Sequence, residues 1–200
     1  MKRIIYIVLT AVVLTLVSAT YACAQWEYKS TGHEGMYYVR DAKGKYGFVN
    51  ERGKLVIPCK WNEASDFYEG LAAVKDANGK WGFVNKTGKL AIPCKWGSVD
   101  WFNEGMCAVQ DASTEKWGFI NKTGKLVIPC KWKFSKVFMS GLAKVMDAST
   151  DKWGVIDKTG KVLVPCKWKK ILIDPFSGDI KAMDDAGKWY NLDKTGKIVE

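Results

Sequence analysis

A seventeen-residue segment recurs four times in this chain, and that recurrence constrains its fold more than any other feature. KYGFVNERGKLVIPCKW runs from Lys45 to Trp61, and KWGFVNKTGKLAIPCKW from Lys80 to Trp96. KWGFINKTGKLVIPCKW runs from Lys116 to Trp132, and KWGVIDKTGKVLVPCKW from Lys152 to Trp168. A fifth, divergent copy, KWYNLDKTGKIVE, starts at Lys188. The motif glycine falls at Gly47, Gly82, Gly118 and Gly154, a period of 35 or 36 residues. A fixed period in this range marks a repeat architecture. A unit this small cannot bury its apolar face alone, so it must stack on its neighbours. The expected units cover about 35–69, 70–104, 105–140, 141–177 and 178–200. A polar N-terminal cap over 25–34 precedes them.

One unit reads as three strands. Leu71–Lys75 is a short strand, followed by the turn Asp76-Ala77-Asn78-Gly79. Trp81–Asn85 is a second strand, Lys86-Thr87-Gly88 a second turn, and Lys89–Trp96 a third strand. Pro93 cannot donate to a ladder and should disturb pairing there. The glycine beside the tryptophan should let a neighbouring chain segment come close. In the first strand Ala72 and Val74 share a parity that is apolar in every unit and should be buried. In the third strand Leu90, Ile92, Cys94 and Trp96 share a parity, so the cysteine is expected to point with them. The resulting expectation is all-β: an open, curved, solenoid-like array of three-stranded antiparallel meanders. The alternative is a closed β-propeller-like ring, disfavoured because a propeller blade has four strands.

Residues 1–24 read as a signal peptide. Lys2 and Arg3 precede the apolar run Ile4–Val17, and Ala22-Cys23-Ala24 is a cleavage site that leaves Gln25 first. Lipid anchoring through Cys23 is the alternative. Cleavage removes Lys2 and Arg3 and no acid, so the formal charge of +10 falls to +8. The lysines are interleaved with aspartates, which suits a solvated rim better than attraction to an anionic polymer or surface, and nucleic acid is not the expected partner. No other stretch is long enough to span a membrane as a helix. The expected location is therefore exported, periplasmic or secreted.

Cys59, Cys94, Cys130 and Cys166 occupy one repeat position and read as small apolar fillers. Cys107 stands apart, on the buried parity. No pair has C-x-x-C spacing, and the single histidine, His33, precedes the repeats, so neither metal nor cofactor is expected. No nucleophile or phosphate-binding motif occurs. The recurring Asp76, Asp111 and Asp147 stand before turns and read as turn formers, not acid/base groups. The sequence argues against an enzyme.

KWGFINKTGK followed by aliphatics, proline and an aromatic resembles the WG (KWG) β-repeat family of bacterial, often exported, proteins. The resemblance covers nearly all of residues 34–200. It implies an interaction module without a defined reaction. The expected function is a non-enzymatic exported scaffold that binds a protein or peptide. Recognition should sit on the connectors 62–69, 97–104, 133–140 and 169–177, which differ between units while the strands do not. The alternative is a cell-wall or glycan module that uses aromatic and lysine side chains, with a glycan or anionic polymer as ligand. The candidate contact residues are the corner tryptophans Trp61, Trp96, Trp132 and Trp168, the lysines Lys95 and Lys131, and Trp101 in a connector.

Overall fold

A computed structural model describes residues 26–199. The leader over 1–24 and Cys23 lie outside these residues. The described chain is all-β: five antiparallel sheets of four strands each, in sequence order. The first sheet holds β1 (Tyr28–Lys29), β2 (Met36–Arg40), β3 (Tyr46–Asn50) and β4 (Leu55–Trp61). The second holds β5 (Glu63–Tyr68), β6 (Leu71–Lys75), β7 (Trp81–Asn85) and β8 (Leu90–Trp96). The third holds β9 (Ser98–Val99), β10 (Met106–Gln110), β11 (Trp117–Asn121) and β12 (Leu126–Trp132). The fourth holds β13 (Phe134–Ser135), β14 (Leu142–Met146), β15 (Trp153–Asp157) and β16 (Val162–Trp168). The fifth holds β17 (Lys170–Ile173), β18 (Ile180–Met183), β19 (Trp189–Leu192) and β20 (Ile198–Val199).

Three strands of each unit follow the sequence expectation, and the fourth corrects it. The connectors are not loops between meanders. Each supplies the first strand of the sheet that follows it. Asn62 N–H donates to the Lys75 carbonyl, Gly97 to Gln110, Lys133 to Met146 and Lys169 to Met183, all at 2.9 Å. The segment read as an N-terminal cap plays the same part through β1, which pairs with β2. Strand pairing is made by the backbone, so these segments can vary in side chain and still complete a sheet.

The third strand breaks the alternation expected of it. Along β7 and β8, Val84 faces Leu90, Phe83 faces Ile92 and Trp81 faces Trp96. One extra residue of β8 lies between the first two pairs and two between the next, so the strand bulges twice. Cys94 is thereby turned away from Ile92 and Trp96. It packs against the first sheet, while those two pack against the third. The bulge lies over Gly82. A Cβ there would stand 2.6 Å from the Ile92 carbonyl oxygen and 2.7 Å from Cys94 N. The pairing fault at the proline and the close approach at the glycine are thus one feature.

The core lies between sheets, not within them. Phe83, Ile92 and Trp96 of the second sheet meet Phe102, Cys107, Val109 and Ile120 of the third. The same set recurs between sheets one and two, three and four, and four and five. None of these clusters joins the fifth sheet to the first. Because an inner sheet is covered on both sides, both parities of its middle strands are buried: Leu71 and Ala73 as well as Ala72 and Val74. Full burial of a side chain such as Leu71 or Val74 stabilises by about 1.5–3 kcal/mol.

The array ends by changing side chains. On the outer face of the fifth sheet Lys181 and Asn191 stand exposed. Tyr190 occupies the place of the motif glycine, and its hydroxyl donates to Asp184 Oδ2 at 3.0 Å. In the first sheet Gly32 stands where the second has Phe67. The Tyr37 ring lies over it, filling the space a side chain would need.

Candidate binding groove

Three of the four connectors are pinned by a buried phenylalanine, Phe67, Phe102 and Phe138. Phe102 meets Phe83 edge-on at 4.9 Å between centroids, and Phe138 meets Phe119 at 4.8 Å. In extended chain the neighbour of a buried residue points the other way. Trp101, just before Phe102, is therefore turned out and is 42% exposed. The Asp100 carboxylate accepts the Trp101 N–H at 3.0 Å and fixes the local bend.

This places aromatic rings along one rim. His33 stacks on Tyr68 at 4.6 Å, and Tyr68 lies 5.8 Å from Trp101. His33 Nδ1 also lies 2.5 Å from the Phe67 carbonyl oxygen, which ties the first sheet to the second. Beyond Trp101 the row opens into a groove of about 240 Å³. Its walls are Trp101, Val137, Met139, Leu142 and Ile173, and Lys136 and Lys144 reach into it.

Lys144 is the exception in the pattern. It stands on the middle of β14, where β2, β6 and β10 carry Tyr38, Ala73 and Ala108. Its ammonium donates to the Ile171 carbonyl at 3.1 Å and lies 5.8 Å from the Trp153 ring centroid. Burial pushes its pKa down, and the nearby charges of Lys136 and Lys170 push it further the same way. Asp100 is the acid whose carboxyl feels Lys136; burial raises its pKa, against the pull of the Trp101 N–H and of Lys136.

The other sequence-selected residues lie elsewhere. Trp61, Trp96, Trp132 and Trp168 are only 5–8% exposed and belong to the inter-sheet cores. Their expected role as contact platforms is therefore corrected. Each ring stays on the side of the strand's buried aliphatic, beneath the next sheet. Their indole Nε1 atoms meet no protein acceptor, so the rings serve by area. Lys95 and Lys131 are exposed and lie over Trp96 and Trp132 at 4.8 Å, as lids on those rings. Of the candidate set, only Trp101 lines the groove. Lys136 and Lys144 escaped selection. The signal was present in LAKVM, where one strand departs from LAAVK and MCAVQ.

The cysteines among the described residues are free thiols. Cys107 is fully buried, and its thiol donates to the Asp100 carbonyl at 3.1 Å. Burial raises its pKa well above the usual thiol value. The half-buried Cys94 and its counterparts are raised by burial as well.

Stacked four-stranded blades joined by inter-sheet cores define a tandem β-repeat protein with propeller-like units. More particularly, the chain belongs to the WG containing repeat family, whose pattern matches residues 46–81, 81–112, 117–147 and 153–189. Among solved structures it is similar to Hsv2 of Kluyveromyces lactis, with a TM-score of 0.54 at 8% identity over 85% of this chain. Hsv2 of Kluyveromyces marxianus gives 0.54 at 7% identity over 88%. The chain spans 61% and 62% of those two proteins, and at such identity the likeness is one of fold. No curated protein is significantly similar in sequence.

Proposed function

We propose that this chain is a non-enzymatic binding scaffold that holds a protein or peptide on the rim carrying Trp101. The observation that supports this reading is the groove itself. It is an apolar trough lined by Trp101, Val137, Met139 and Ile173 from the segments that differ between repeats, and by Leu142 and Lys144 of β14. Exposed tryptophan in such a setting is a favoured anchor for a partner. A glycan reading needs flat rings open to solvent, and the four corner tryptophans do not offer them.

The scaffold works outside the cytoplasm, in the periplasm or secreted, after loss of residues 1–24. N-terminal sequencing of the protein from its native envelope fraction should begin at Gln25. A lipid on Cys23 would replace secretion with anchoring. Crosslinking in the native organism, followed by mass spectrometry, should join a partner to residues 101–103 and 136–139. A partner retained equally by the wild type and by W101A would overturn the reading.

A further inference from the structure

Lys136 and Lys144 reach into the groove and Lys170 stands near Lys144, and none of the three has a carboxylate within 4.0 Å among the described residues. The ion pairs found there use other lysines: Lys75, Lys86, Lys122, Lys133, Lys152 and Lys158. Lys144 is the costly member. It is half-buried at a site where the other inner strands hold alanine, with Lys136 and Lys170 close enough to repel it. Its contact with the Ile171 carbonyl satisfies one of three N–H donors and leaves its charge uncompensated. Asp100, behind Trp101, acts on Lys136. The repeat thus keeps a cluster of cations, none of them in an ion pair within 4.0 Å among the described residues, beside an apolar trough.

We propose that the groove recognises an aspartate or glutamate flanked by a large apolar residue in an extended peptide. The carboxylate docks on Lys144 and Lys136, and the apolar side chain lies against Trp101 and Met139. This rests on the peptide reading given above. Size supports it: about 240 Å³ lies below the roughly 300–1,000 Å³ of small-molecule sites and suits side-chain-sized insertion. Charge supports it as well, since a carboxylate relieves the repulsion among the three ammonium groups when it binds. The apolar walls disfavour a sulfated or phosphorylated polymer, whose surface is polar throughout.

The test is an array of randomised hexapeptides probed with the wild-type chain and with K144M, K144R and W101A. Wild type should retain peptides enriched in Asp or Glu next to Leu, Phe or Trp. For the best peptide, K144M should weaken binding by about tenfold, equivalent to about 1.4 kcal/mol, and lose the acidic preference. K144R should keep that preference, and W101A should weaken all retained peptides. Binding to wild type should fall with added salt, and binding to K144M should be nearly insensitive to it. K136M is the second variant should K144M fail to fold. Retained peptides without acidic enrichment, or enrichment unchanged in the lysine variants, would overturn the carboxylate site and leave the peptide reading standing. Retention of no peptide by the wild type would overturn both.

Discussion

Lys158, in the third turn of the fourth sheet, reaches back to Glu104, in the first turn of the third sheet. Its ammonium lies 3.0 Å from the Glu104 carboxylate and donates to the Glu104 carbonyl at 3.0 Å. The same carboxylate accepts the Gly141 N–H at 2.9 Å. Glu34 repeats the arrangement with Lys86 and Gly70, and Glu69 with Gly105 and, more loosely, Lys122. Burial pulls the Glu104 carboxyl up, but the bonds from Lys158 and Gly141 outweigh it and hold it below the usual carboxylate value. The glutamates sit at φ 52, so the clamp also holds a left-handed turn.

E104Q should therefore destabilise the chain by about 1 kcal/mol, through a weakened charge-assisted bond to Gly141 and loss of the ion pair. Urea denaturation of E104Q, K158M and the double variant measures the coupling. Effects additive to within about 0.3 kcal/mol would mean that the pair contributes nothing.

Trp96 and Trp101 carry the same side chain to opposite ends. W96A should cost about 3–5 kcal/mol, the range for emptying a buried aromatic site. W101A should stay within about 0.5 kcal/mol of wild type, as an exposed substitution. Equal urea midpoints for the two variants would reverse their assignment to core and groove.

Gly118→Ala would put a Cβ 2.5 Å from the Ile128 carbonyl oxygen and 2.7 Å from Cys130 N. Both atoms belong to the backbone of the bulge and cannot rotate aside. A loss of about 3 kcal/mol or more is expected in thermal or urea unfolding. Gly105→Ala, with open space around the added Cβ and only its φ of 78 to strain it, should lose about 1 kcal/mol.

The turn aspartates set an acid limit. The Asp111 carboxyl is held below the usual range first by the Ser113 hydroxyl, then by the Thr114 N–H and hydroxyl. Asp147 is lowered to about 2, first by the Ser149 hydroxyl. Carboxyls depressed in the folded state contribute stability that is present above the unfolded value and lost as pH falls toward the folded one. The urea midpoint should hold near neutrality and fall below pH about 4. The double variant D111N/D147N keeps an acceptor at each turn and should show a shallower fall.

Truncation after Phe176 removes Ile180, Ala182 and Leu192, which pack with Trp168, Val164 and Leu142 of the fourth sheet. Nearest-neighbour stacking confines that loss. The shortened chain should be less stable but keep the β signal of the first sheets in circular dichroism. Collapse of the whole signal would require a ring closed through the fifth sheet.

The sequence by itself determined the repeat, its period and three of the four strands in each unit. WGFVN, the turn Lys86-Thr87-Gly88 and the buried pair Ala72 and Val74 could be read because local propensity and side-chain alternation write them into adjacent residues. Tertiary structure alone decided the fourth strand, since Glu63–Tyr68 joins its sheet through backbone bonds that leave no side-chain pattern. It also decided the direction of Cys94, because two bulges interrupt the alternation from which a direction can be inferred. Trp101 could be picked from the sequence, but the assembly of the groove belongs to this second kind. Trp101, Lys144 and Ile173 come from three successive sheets and meet only when those sheets stack, so no window of sequence contains the site they form.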